Sequence, residues 1–64
     1  MLNSKISLAA ARVNAWYTQK EAAKLLKVSE RTISRWESGK AAPSVDHFVR
    51  LCRLYGCSVD AIKL

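Results

Sequence analysis

The stretch "VSERTISRWESGK", from Val28 to Lys40, decides how this chain is read. At about 100° per residue, Ile33 and Trp36 share one side of a helix, while Arg31, Arg35 and Ser38 lie nearly opposite with Thr32 and Ser34 on the flanks. Ser29 supplies an N-cap and Gly39 a stop, so the spacing predicts a helix ending at Ser38. Its narrow apolar stripe fastens it to a protein body. Its other face presents two guanidinium groups one turn apart.

The segments on either side extend this pattern. Thr18-Gln19-Lys20-Glu21 has the form of a capping box, in which the threonine oxygen and the glutamate carboxylate each satisfy an orphaned backbone N–H. A helix starts there and runs through Ala22, Ala23 and Leu26, whose small alanines allow another helix to approach closely. Lys27-Val28-Ser29 is then a tight connection, and residues of about 18–38 form two helices joined by a turn.

Upstream, Leu8, Arg12 and neighbouring alanines predict a first helix from about Ser4 to Ala15, capped by Ser4 or Asn3. Downstream, Pro43-Ser44 opens a fourth helix with Val45, Phe48, Leu51, Cys52 and Tyr55 at helical spacing, closed by Gly56. Ser58 caps a last short helix carrying Val59 and Ile62. The expectation is a single all-α domain over residues 1–64, a compact bundle of five helices. Trp16 and Tyr17, at the end of the first helix, are expected at the core and its rim.

With 64 residues the chain can bury one small core. Half of the residues are hydrophobic, with only two glycines and one proline, which suits a packed globule. The net charge of +6 points to an anionic partner, nucleic acid first. No segment joins a broad apolar face to a wholly cationic one, so a membrane partner is not expected. The start, "MLNSKISLAA", has neither a long apolar run of a secretory signal nor the length to span a bilayer, and a cytoplasmic location is expected.

Cys52 and Cys57 match neither a redox C-x-x-C motif nor a zinc-ligand pair, and the single His47 does not complete a metal site with them. Both are expected to be reduced, small and buried. His47 reads as a surface residue. No nucleophile motif and no glycine-rich phosphate loop is present, so neither an enzyme nor a cofactor is expected.

An α-helix fits the DNA major groove, where an arginine fork can bond guanine O6 and N7 together. On spacing alone the two arginines are equally ordinary surface residues. The helix, tight turn and second helix shift that balance. "TQKEAAKLLKVSERTISRWESGKAAPS" followed by "FVRLCRLYGCSVDAI" resembles the phage repressor and Cro-like helix-turn-helix family, also called the Xre family, over residues of about 8–62.

The resemblance implies a lambda-repressor-like fold and a sequence-specific double-stranded DNA-binding regulator of transcription. Glu30, Arg31 and Arg35 match the base-reading positions. Gln19, Thr32, Ser34, Ser38 and Lys40 would contact or approach phosphates, and Lys27, which departs from the family pattern, would compensate by facing a phosphate. Glu30 has an equal alternative in stabilising its own helix N-terminus. Arg12 and Glu37 match an ion pair between the first and third helices.

The sequence departs from the family pattern at Trp16 and Lys27, which stand where glycine is usual, so that a positive-φ conformation at Lys27 would carry strain, and at Leu25, which stands where a polar residue is usual. A homodimer on two half-sites is expected, joined through the fourth and fifth helices. Leu25, Val49 and Leu54 are outward-facing apolar candidates for a partner surface. They would serve the second reading, a protein-interaction module that pairs with a toxin or another regulator.

Overall fold

The computed structural model describes residues 5–64. The chain runs β1 (Ile6–Ser7), α1 (Leu8–Asn14), α2 (Gln19–Leu26), α3 (Glu30–Ser38), α4 (Val45–Tyr55), a 3-10 turn (Val59–Ala61) and β2 (Ile62–Lys63).

Side-chain caps set most helix starts. Thr18 Oγ1 accepts from the Glu21 N–H at 3.0 Å while Glu21 Oε1 accepts from the Thr18 N–H at 2.8 Å, completing the capping box of α2. Ser29 caps α3 through the Thr32 N–H at 3.0 Å, and Ser44 caps α4 through the His47 N–H at 3.2 Å. Gly39 and Gly56 end α3 and α4 with φ of 81° and 72°, a conformation that costs a glycine little.

The chain ends differ from the sequence expectation. Ser7, not an earlier residue, caps α1 by accepting from the Ala10 N–H at 3.0 Å. The expected caps Asn3 and Ser4 lie outside the described residues. Ile6 pairs with Ile62 and Ser7 with Lys63 in a parallel two-stranded ladder, which takes Ile6 out of any helix.

The same ladder removes the fifth helix. Ser58 makes no side-chain cap, the helical turn lasts only from Val59 to Ala61, and Ile62 is extended at φ −102°, ψ 131°. A single turn carries the nucleation cost without enough propagating bonds to offset it, whereas the β-branched Ile62 gains a strand partner and burial. Among the described residues the bundle therefore has four α-helices, not five.

One core joins these elements: Leu8, Ala11, Ala22, Ala23, Leu26, Ile33, Trp36, Leu51, Cys52, Tyr55 and Ile62 are all buried. Ile33 and Leu51 are the largest of the fully buried side chains, each contributing about 1.5–3 kcal/mol through removal of apolar surface from water. Ala22 and Ala23 let α2 and α3 close on one another, which fixes the α3 axis to the body.

The two adjacent aromatics after α1 part company. Tyr17 packs at the core edge with its ring 6.3 Å from that of Tyr55, but Trp16 is 91% exposed at φ 67°, against the expectation that both serve the core and rim. The left-handed residue reverses the chain so that only the second ring turns inward. His47 is half-buried, its ring 5.3 Å from that of Trp36, so it is more than a surface residue. Cys57 is also only half-buried.

Candidate nucleic-acid interface

Along α3, Ile33 and Trp36 point into the core while Glu30, Arg31, Ser34, Arg35 and Ser38 are exposed. Among the described residues, ion pairs form between Arg12 and Glu37 and between Arg50 and Asp46, and neither Arg31 nor Arg35 uses its side chain in an internal hydrogen bond. Their guanidinium groups are thus unspent donors, ten N–H bonds in two planar forks. Lys27 and Lys40 are exposed at the two ends of α3. Lys27, Arg31, Arg35 and Lys40 are thus four exposed cations on α3 and at its two ends, with one exposed carboxylate, that of Glu30.

The hydroxyl positions differ in availability. Ser34 is exposed with no internal hydrogen bond among the described residues, Ser38 Oγ donates to the Arg35 carbonyl at 3.3 Å, and half-buried Thr32 shares a hydrogen bond with Ser29 Oγ at 2.8 Å. Lys27 occupies the left-handed region at φ 60°, ψ 43°, as the C-cap of α2.

Behind the exposed face lies a network centred on Glu37. Arg12 Nε donates to Glu37 Oε2 at 2.7 Å and Arg12 Nη2 to Oε1 at 3.2 Å. Arg12 Nη1 also donates to the Tyr17 carbonyl at 2.8 Å, pinning the loop between α1 and α2. The hydrogen bond to Glu37 raises the Arg12 pKa above its ordinary value despite the opposing effect of burial.

Gln19 completes the network, with Nε2 donating to Glu37 Oε1 at 2.9 Å. The family resemblance assigns this amide to a phosphate, and the sequence carries no signal for its tie to α3. That bond uses one amide hydrogen, leaving the second and the carbonyl oxygen for a ligand. The first N–H groups of α2 have no intrahelical acceptors and carry the positive end of the helix dipole. The arrangement can hold an anion beside α2 while α3 presents hydrogen-bond donors further out.

The candidate apolar surface does not hold together as one exposed patch. Leu25 is 54% exposed, but Val49 is half-buried and Leu54 is half-buried against the core, so Leu54 does not face outward as expected. Among the described residues no group of His, Cys, Asp and Glu side chains is arranged to hold a metal ion, and no helix is long and apolar enough to cross a membrane.

The helix-turn-helix family model matches residues 8–62. The HTH-type transcriptional regulator ImmR of Bacillus subtilis (strain 168) is 40% identical over 50 residues, covering 78% of this chain and 39% of that protein. The chain therefore spans well under half the length of this relative.

Proposed function

Because the chain belongs to the helix-turn-helix family, we propose that it binds double-stranded DNA sequence-specifically and regulates transcription, with α3 entering the major groove. The observation that carries this reading is the pair Arg31 and Arg35, exposed one turn apart on a helix anchored by Ile33 and Trp36. In the groove each fork bonds guanine O6 and N7, worth about 1–3 kcal/mol of discrimination per pair. Glu30 accepts from cytosine N4 or stabilises its own helix N-terminus.

Phosphates are held by Gln19, through its free amide hydrogen, and by Lys27, Ser34, Ser38 and Lys40 around α3. Thr32 joins them if its hydroxyl turns from Ser29. A single reading head makes few contacts, so two copies act together on half-sites about 34 Å apart, one turn of DNA. A small repressor or Cro-like regulator of a phage or plasmid type, acting on operator DNA in the cytoplasm, fits a domain whose chemistry is binding alone.

Selection from a pool of random duplexes tests the reading. The expected product is one preferred word recurring as an inverted pair with fixed spacing. A pool that stays random after repeated rounds would remove the sequence-specific function, while a single unrepeated word would remove the two-copy arrangement only.

A further inference from the structure

The end of α4 is closed by two hydrogen bonds, the Cys57 N–H to the Cys52 carbonyl at 3.0 Å and the Gly56 N–H to the Arg53 carbonyl at 3.3 Å, with Gly56 at φ 72°. This pattern brings together the side chains of the residue that accepts the longer-range bond and the residue that donates it. Usually both are apolar. Here both are cysteines, and both are free thiols.

The turn fixes their separation. A disulfide accommodates Cα atoms about 4.4–6.8 Å apart, and the backbone hydrogen bond from Cys57 N–H to the Cys52 carbonyl at 3.0 Å keeps the two residues near one another. The environments of the two sulfurs differ. Cys52 is 3% exposed within the core, whereas Cys57 is half-buried on the outgoing chain. Burial, reinforced by the neighbouring Cys57 thiol, pushes the Cys52 thiol up to about 11, so Cys52 is a poor first nucleophile near neutral pH.

We infer that Cys52 and Cys57 are a reversible thiol–disulfide pair, in which Cys57 is the point of entry for a small oxidised disulfide and Cys52 is the resolving thiol. In the first step the Cys57 thiolate attacks one sulfur of glutathione disulfide, whose S–S bond breaks. One glutathione leaves and takes up the proton that Cys57 released. In the second step Cys52 gives up its proton as its sulfur attacks Cys57 Sγ of the mixed disulfide, and the second glutathione leaves with that proton. Two protein thiols are oxidised and one glutathione disulfide is reduced to two thiols.

Proximity drives the second step. The resolving thiol is already beside the mixed disulfide, so its low thiolate fraction is offset by a high effective concentration. The pair includes none of the side chains assigned to DNA on α3.

The test incubates the full chain with glutathione disulfide and maps it without reduction. Trypsin separates Leu51–Arg53 from Leu54–Lys63, so the expected result is one cross-linked species containing both peptides, released by dithiothreitol. The intact protein then carries no glutathione and has lost both titratable thiols. Cys52→Ala is expected to trap glutathione on Cys57, and Cys57→Ala to remain unmodified while folded. Wild-type protein that keeps a glutathione adduct, retains both thiols, or forms only disulfides between two chains would overturn the inference.

Discussion

Gln19 Nε2 donates to Glu37 Oε1 at 2.9 Å, which ties the residue opening α2 to the penultimate residue of α3. The same carboxylate receives Arg12 from α1, so three helices share one acceptor group whose side chain is only 9% exposed. The helix that presents Arg31 and Arg35 cannot rotate on the body without breaking this network. Preorganisation of that kind lowers the ordering cost of binding, because the spacing between α2's amide and α3's forks is set before any ligand arrives.

Removing the carboxylate strands Arg12, whose side chain is 14% exposed. Glu37→Ala is expected to cost about 2–3 kcal/mol of stability, somewhat below the cost of breaking a fully buried pair. Arg12→Met together with Glu37→Leu is expected to cost less than the sum of the single changes, because no unpaired charge remains. Urea unfolding of the wild type, Arg12→Met, Glu37→Leu and the double variant gives the cycle. Strict additivity would show that the pair does not couple the helices.

Two side chains pay conformational strain in the left-handed region, Trp16 at φ 67° and Lys27 at φ 60°. Glycine at either position relieves about 1 kcal/mol after allowing for its more flexible unfolded chain. Trp16→Gly sacrifices little packing, since the indole is 91% exposed. Both variants are expected to melt higher than the wild type. Lys27→Gly is also expected to bind duplex more weakly at every sequence, because it removes the phosphate contact proposed for Lys27. A lower melting temperature for Trp16→Gly would mean that the indole contributes packing that outweighs the strain.

Tyr55 Oη is buried and has no hydrogen-bond partner among the described residues. Burial pushes the Tyr55 hydroxyl up to about 12 from its ordinary 10.0, and Cys52 up to about 11 from 9.0. In both cases the unfolded chain loses its proton first. Stability is therefore full below about pH 9 and falls as pH rises from there towards 12. Tyr55→Phe is expected to be neutral or stabilising by up to about 1 kcal/mol at pH 7, because no hydrogen bond is lost and an unsatisfied group leaves the core. It is also expected to flatten the upper part of the alkaline limb. Chemical denaturation at a series of pH values measures both, and an unchanged limb would locate the alkaline sensitivity elsewhere.

What the sequence reveals about this fold follows from the range of the interactions involved. Thr18, Ser29, Gly39, Ser44 and Gly56 mark helix ends through contacts three to five residues away, so the helix-turn-helix frame is legible in residues 18–38 alone. The pairing of Ile6 with Ile62 joins opposite ends of the chain, and local periodicity assigns both residues to helices instead. Adjacent aromatics defeat the same reasoning, because the left-handed turn at Trp16 decides which of Trp16 and Tyr17 faces the core. At the candidate site, the outward face of α3 follows from the positions of Ile33 and Trp36. The bond between Gln19 and Glu37 does not, because helical spacing gives no register between α2 and α3.

The roles proposed for the cations differ in what their loss should do. Arg31 and Arg35 are assigned to base edges, so Arg31→Ala and Arg35→Ala are each expected to weaken the selected site by about 1–3 kcal/mol and to relax base choice at separate positions. Lys40, exposed beyond the end of α3, is assigned to a phosphate. Lys40→Ala is expected to weaken all duplexes alike and to make the salt dependence shallower by about 0.9 in the log–log slope. Titrations of labelled selected and scrambled duplexes at several salt concentrations separate the two kinds of contact. Equal losses on selected and scrambled DNA for all three variants would mean that the arginines act as bulk charge, and α3 would then not be the element that reads sequence.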